Sequence, residues 1–145
     1  MKILAVDTAT RGCSVAIVDQ SSLLAEVTIV SAQTHSKHLM EMIHTALQGA
    51  NLRVSDIDGW AVSAGPGSFT GLRIGMSTIK GLAMASGKPV VGVSSLQALA
   101  WQTLPCSNLM CAMLDARKGQ VYCARYRSVS GALMQDLPAA VLSPT

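Results

Sequence analysis

Aromatic residues are nearly missing from this chain: one Phe, two Tyr and two Trp among 145 residues, or 3%. That scarcity argues against a surface that reads nucleic acid by stacking bases on interleaved rings. Charged residues are also few, 13% against 50% hydrophobic, a balance that excludes a disordered chain. No run of about 18 uninterrupted apolar residues occurs, so no membrane-spanning helix is expected. The opening Met1-Lys2-Ile3-Leu4-Ala5-Val6-Asp7 meets an acid before a signal-peptide core would form, which gives the expectation of a cytoplasmic protein. Cys13, Cys106, Cys111 and Cys123 show no CxxC spacing and sit in apolar stretches. Buried reduced thiols are therefore expected in place of a disulfide framework or a zinc site.

What is present is mostly small and aliphatic, in a length that suits one ordinary domain and is too short for two complete ones. The net charge of +3 is unevenly placed. Through Ala116 acids and bases cancel, and the whole excess comes from Arg117, Lys118, Arg125 and Arg127 against Asp136. No general field for steering a polyanion results, only a local basic cluster near the C-terminus.

Hydrophobic patterning gives an order of elements. Ile3 to Asp7, Ser14 to Asp19 and Leu23 to Val30 read as strands with short polar links, the pattern of antiparallel hairpins. From Ser36 the apolar residues Leu39, Met42, Ile43, Ala46, Leu47 and Ala50 recur at helical spacing, with Thr34 or Ser36 as cap. Gly59 to Ala64 is a strand, Gly71 to about Ser86 a helix stopped by Gly87 and Pro89, and Pro89 to Val93 a strand. A short helix capped by Ser94-Ser95 runs through Trp101. The order βββαβαβα implies an α/β protein with a mixed sheet. After Pro105 the opening pattern restarts: Leu109 to Leu114 closes on Asp115, Arg117-Lys118-Gly119 turns, and Gln120 to Arg127 returns. Strand, Asp, basic-Gly turn, strand thus occurs twice, as an internal duplication with an incomplete second copy.

Three groups of residues invite chemistry. Asp7 with Thr8 at a strand end suits either a phosphate or Mg²⁺ site or an ordinary turn-capping Asp. Gly65-Pro66-Gly67-Ser68-Phe69-Thr70-Gly71 joins a buried strand to a helix, where backbone N–H groups and the helix dipole receive anions. It lacks the Gly-Lys-Ser/Thr of a Walker loop, and an alternative is a tight turn in which Thr70 caps the helix. His35, His38 and His44 have neither an acidic third ligand nor an HExxH arrangement, so they read as solvated helix residues. The second helix is apolar nearly all round, at Leu72, Ile74, Met76, Ile79, Leu82 and Met84. One sheet face cannot cover all of these, and part of that surface is expected to meet another subunit. Gly75 inside it costs about 1 kcal/mol against alanine and needs a packing reason.

The run Gly65-Pro66-Gly67-Ser68-Phe69-Thr70-Gly71-Leu72-Arg73-Ile74-Gly75 continues to Lys80-Gly81-Leu82-Ala83. With Ile3-Leu4-Ala5-Val6-Asp7-Thr8-Ala9-Thr10 and Asp115-Ala116-Arg117-Lys118-Gly119-Gln120-Val121-Tyr122, it closely resembles the TsaB (YeaZ) family of bacterial tRNA threonylcarbamoyladenosine biosynthesis. The resemblance covers essentially the whole chain, whereas family members continue through a complete second lobe. It implies the duplicated actin/Hsp70/sugar-kinase (ribonuclease H-like) fold, with residues 1–104 as first lobe and 105–145 as incomplete second lobe. It also implies a non-catalytic paralogue of the TsaD (Gcp) transferase, whose corresponding helix carries two metal-ligand histidines spaced i, i+4. Ser95 and Leu99 stand at those positions here, and a leucine cannot bind a metal.

No catalytic residue, metal or cofactor of the chain's own is therefore expected; ATP and a metal would be used by the partner complex. The implied partners are a TsaD-type transferase, a TsaE-type ATPase, a second copy of the chain when alone, and tRNA through the complex. The implied docking surface is the first two helices, at Leu39, Met42, Ile43, Leu72, Gly75, Met76 and Ile79. Asp7, Thr8, Gly65, Gly67, Ser68 and Thr70 would form a vestigial nucleotide or anion site. The alternative is an actin-like-fold ATPase or phosphotransfer enzyme built on those same residues.

Overall fold

The computed structural model describes residues 1–30 and 38–143. The elements are β1 (Lys2–Asp7), β2 (Gly12–Asp19), β3 (Ser22–Val30), α1 (Leu39–Gly49), a 3-10 turn (Val54–Asp56), β4 (Gly59–Gly65), α2 (Phe69–Ser86), β5 (Val90–Ser94), α3 (Ser95–Trp101), β6 (Met110–Arg117), β7 (Gln120–Val129) and β8 (Ala132–Leu142). The chain divides into two compact units, residues 1–64 with 68–93 and residues 65–67 with 94–145.

The first unit holds a five-stranded sheet in the order β3-β2-β1-β4-β5. β1 pairs antiparallel with β2 and parallel with β4, so the sheet is mixed. Register puts Leu4 beside Ile17 and Trp60, and Val6 beside Val15 and Val62, all on one face. Both long helices cover that face. α1 brings Leu39, Met42, Ile43, Ala46 and Leu47, and α2 brings Ile79 and Ala83, into one core with those strand residues. Each fully buried aliphatic side chain there is worth roughly 1.5–3 kcal/mol. The Trp60 indole N–H is satisfied inside this core by donating to Ser86 Oγ at 3.1 Å. α2 ends where Gly87 takes a left-handed φ of 65°, a conformation that suits glycine. The expected caps at Thr34 or Ser36, and His35, lie outside the described residues.

The second unit is a three-stranded antiparallel sheet, β6-β7-β8, with α3 on one face. Met110, Ala112, Ala124 and Tyr126 face Leu96 and Ala100. α3 therefore groups with this sheet, and the division falls between Val93 and Ser94, where the sequence reading drew it at 104/105. The sequence pattern does not mark β8, because Pro138 interrupts its apolar run. Proline is tolerated there because β8 is an edge strand and its register shifts between Cys123 and Arg125, on either side of the pairs to Ala140 and Leu137. Arg125 and Arg127 both bind Asp136, at 2.6 and 2.7 Å, and these contacts hold its carboxyl below the ordinary carboxylate range.

The internal repeat is visible in both units. Each contains a three-stranded antiparallel meander, β1-β2-β3 and β6-β7-β8. Asp7 Oδ1 accepts the Ala9 N–H at 2.9 Å, and Asp115 Oδ1 accepts the Arg117 N–H at 2.7 Å. The same Asx turn closes the first strand of each copy.

The second unit has the thinner core. Its buried set contains three alanines and, besides Met110 and Tyr126, one large aliphatic, while Met113, Met134, Leu137, Val141 and Leu142 are exposed. Amide exchange should therefore be slow in Leu4–Val6 and Trp60–Val62 and faster in Met110–Leu114 and Ala132–Leu142. Mass-spectrometric hydrogen exchange on the 145-residue chain checks this, and equal protection in both units would contradict it.

Candidate functional site

The candidate turn is anchored by a buried threonine. Thr8, at the end of β1, is fully buried; its N–H donates to Ser63 Oγ at 3.3 Å and its hydroxyl donates to the Gly71 carbonyl at 2.8 Å. The Ser68 N–H donates to the Ala9 carbonyl at 2.6 Å, tying the start of α2 to the turn after β1. Ser68 is the helix cap, accepting the Gly71 N–H on its hydroxyl at 3.3 Å. Thr70, offered as a cap from the sequence, is an exposed residue within the first turn of α2. The serine wins because the helix begins at Phe69, two residues earlier than the Gly71 start read from the pattern.

Gly65 takes φ of 101°, which only glycine adopts readily, so the sharp exit from β4 depends on it. Gly67 is half-buried in the same turn, and no acid lies in the first turn of α2. Asp7 is exposed, with one carboxylate oxygen engaged in the Asx turn described above. Thr8 and Ser68 thus already serve hydrogen bonds within the chain, a turn-capping and helix-anchoring arrangement. A phosphate would have to compete with these bonds for both hydroxyls.

The residues expected to dock a partner fall into two sets. Leu39, Met42, Ile43, Gly75 and Ile79 are buried in the core of the first unit, so they are packing residues and not surface. The helical stripe read as a docking surface includes the face that covers the chain's own sheet. Leu72 and Met76 are half-buried on the flank of α2. Sequence reasoning passed over Met40 and Phe69, which are 54% and 69% exposed, whereas Met84, noted within the apolar stripe, is 84% exposed. Arg73 lies over the Phe69 ring at 4.3 Å.

The metal question turns on α3. Ser95 is buried with its hydroxyl unpartnered, and Leu99 packs at the edge of the second core. His44 is exposed on α1. Among the described residues no group of three or more His, Cys, Asp or Glu side chains could hold a metal ion. The donor set on α3 does not fit a metal. No helix among the described residues is long and apolar enough to cross a membrane. The expectation of buried thiols holds for Cys13 alone: Cys106 and Cys123 are half-buried and Cys111 is exposed, and strand alternation turns Cys111 and Cys123 off the core face.

The packing reason for Gly75 is Thr8. A Cβ at position 75 would collide with Thr8 Oγ1 and lie 3.5 Å from Val62 Cγ2. Gly75→Ala would gain about 1 kcal/mol of helix propensity. Against this stand overpacking, about 1–3 kcal/mol, and loss of a buried hydrogen bond, about 1–3 kcal/mol. Net destabilisation is expected in thermal and urea unfolding, shrinking markedly when Thr8→Ala is added. An additive pair of variants would show that the helix is not held by this contact.

Comparison with known proteins follows the same lines. The family described as TsaD, tRNA N6-adenosine threonylcarbamoyltransferase, matches residues 22–145. The chain is 36% identical over 148 aligned residues to the tRNA threonylcarbamoyladenosine biosynthesis protein TsaB of Escherichia coli, covering 99% of this chain and 63% of that protein. Among solved structures, YeaZ from Pseudomonas aeruginosa superposes with a TM-score of 0.89 at 34% identity, covering 99% of this chain and 67% of that one. The chain thus spans about two thirds of the length of these relatives. A ROK hexokinase from Thermus thermophilus, at TM-score 0.52 and 18% identity, shares the fold alone, the actin/sugar-kinase type. By this match of sequence, fold and turn, the chain belongs to the TsaD family and, within it, to the TsaB (YeaZ) group.

Proposed function

We propose that the chain is a non-catalytic partner of a TsaD-type transferase, acting in formation of the threonylcarbamoyl modification on adenosine beside the anticodon of ANN-decoding tRNAs. The observation that carries this reading is on α3: a buried serine hydroxyl and a packed leucine occupy the positions where the resemblance puts metal-ligating histidines. A helix with these side chains offers no ligand pair, so the chemistry, with its ATP and metal, belongs to the partner complex. The name borne by the Escherichia coli relative supports the pathway. The proposed assembly also includes a TsaE-type ATPase, tRNA reached through the complex, and a homodimer when the chain is alone, in the cytoplasm.

Docking is proposed on the outer flanks of α1 and α2. Leu72 and Met76 with the exposed Met40, Phe69 and Met84 supply the apolar surface, and the buried residues beneath them hold its shape. Met76 is half-buried against the first core with part of its side chain at the surface, and Met76→Glu puts a charge into a contact that a partner would desolvate. Co-purification with the transferase subunit should fall at least about tenfold for Met76→Glu, the equivalent of roughly 1.4 kcal/mol. Its thermal unfolding should stay close to that of the parent chain. The parent chain alone should give no tRNA modification, and should stimulate the reaction when the transferase, ATPase, ATP and tRNA are supplied. Modification by the chain alone would overturn the non-catalytic reading, and undiminished capture by Met76→Glu would move the docking surface elsewhere.

A further inference from the structure

The face of the second sheet turned away from α3 carries a pair of thiols. Cys111 on β6 lies across from Arg125, and Cys123 on β7 lies across from Met113, so the two cysteines are diagonal neighbours. Their sulfurs are 3.2 Å apart. Cys111 and Met113 are exposed, and Cys123 is half-buried, so a small reagent has access from one side. The register shift of β8 beside Cys123 adds local twist to β7. A disulfide bond is about 2.05 Å long, so the sulfurs need to close by only roughly 1 Å.

We propose that Cys111 and Cys123 are a modification site, a dithiol that exchanges with the disulfide of a small thiol and closes to a cross-strand disulfide. The Cys111 thiolate attacks one sulfur of the small disulfide; that S–S bond breaks and one small thiolate leaves. Cys123 then gives up its proton and attacks the Cys111 sulfur of the mixed disulfide, and the second small thiolate leaves. Two electrons pass from the cysteines to the small disulfide, and the two cysteine protons end on the released thiols or in solvent. Cys111 is the attacking group because it is the more exposed, and because its hydrogen bond to Cys123 holds the Cys123 thiol above the ordinary range. Closure joins residues 111 and 123 around the Arg117-Lys118-Gly119 turn and clamps the β6–β7 hairpin.

The other two cysteines serve as internal controls. Cys13 is buried, its thiol raised by that burial and by the nearby Asp7 carboxylate. Cys106 accepts the Asn108 N–H on its sulfur at 3.4 Å. The 145-residue chain is equilibrated with mixtures of glutathione and glutathione disulfide, alkylated, and analysed by intact and peptide mass spectrometry. The expected result is the loss of two of the four alkylatable thiols, no retained glutathione, and a linked peptide pair containing Cys111 and Cys123. Cys123→Ser should instead hold glutathione on Cys111, while Cys13→Ser and Cys106→Ser leave closure unchanged. Oxidation should also slow amide exchange across Met110–Leu114 and Tyr122–Tyr126. A wild-type chain that stops at the mixed disulfide, or links Cys106 or Cys13 as readily, would overturn the proposal. So would a disulfide formed only between chains.

Discussion

The first unit is organised around one close approach, that of Thr8 to the glycine-bearing face of α2. The threonine side chain sits between Gly71, whose carbonyl takes its hydroxyl proton, and Gly75, which has no Cβ to obstruct it. Because strand and helix meet at this distance, Ile79 and Ala83, one and two turns further along, reach Leu4, Val62 and Trp60 in the core. The Ser68 N–H bond to the Ala9 carbonyl fixes the same approach from the other side. The glycine-rich turn is therefore needed by the fold whether or not a ligand ever visits it. A motif that looks like a phosphate cradle in sequence can be kept for packing alone.

The two units show what happens when one pattern is given different support. Both contain a meander and close its first strand with an Asx turn, in which an aspartate binds the N–H two residues on. The first unit has two long helices over one sheet face, whereas the second, among the described residues, has the short α3. Its opposite face is left with Met113, Met134 and Leu137 beside Arg125, Arg127 and Asp136. The ion-pair triad is partly solvated and adds little stability there, though it fixes two arginines in place. The basic cluster read from the sequence is thus partly neutralised by its own aspartate.

The fold was legible where periodicity and punctuation agreed. β1, β2 and β4, with α2 between Ser68 and Gly87, needed only alternation, helical spacing, a cap and a terminal glycine. The site was harder. Helical spacing showed that Leu39, Met42, Ile43 and Ile79 are apolar, but could not say whether the buried stripe faced the chain's own sheet or another chain. Tertiary packing decides that, and it assigns all four to the core. The capping serine was passed over because two hydroxyl residues compete within three positions, and the start of the helix chooses between them. β8 was hidden by Pro138, whose missing N–H is harmless only on an edge strand, a fact about neighbours that composition does not carry.

The thiol pair marks the same boundary from the other direction. Cys111 and Cys123 are twelve positions apart, a spacing without meaning among metal or redox motifs. It acquires meaning once the Arg117-Lys118-Gly119 turn sets the register, since Cys111 then faces Arg125 and Cys123 faces Met113. Cys123 is two residues from Arg125, the partner of Cys111, and alternate residues of a strand point the same way, so the two cysteines share a face. Here that face is the one α3 leaves uncovered, so side chains that would be inert in a core are exposed to reagents. Reactivity in this chain follows from the asymmetry of a sheet covered on one side, and cysteine count or spacing alone does not reveal it.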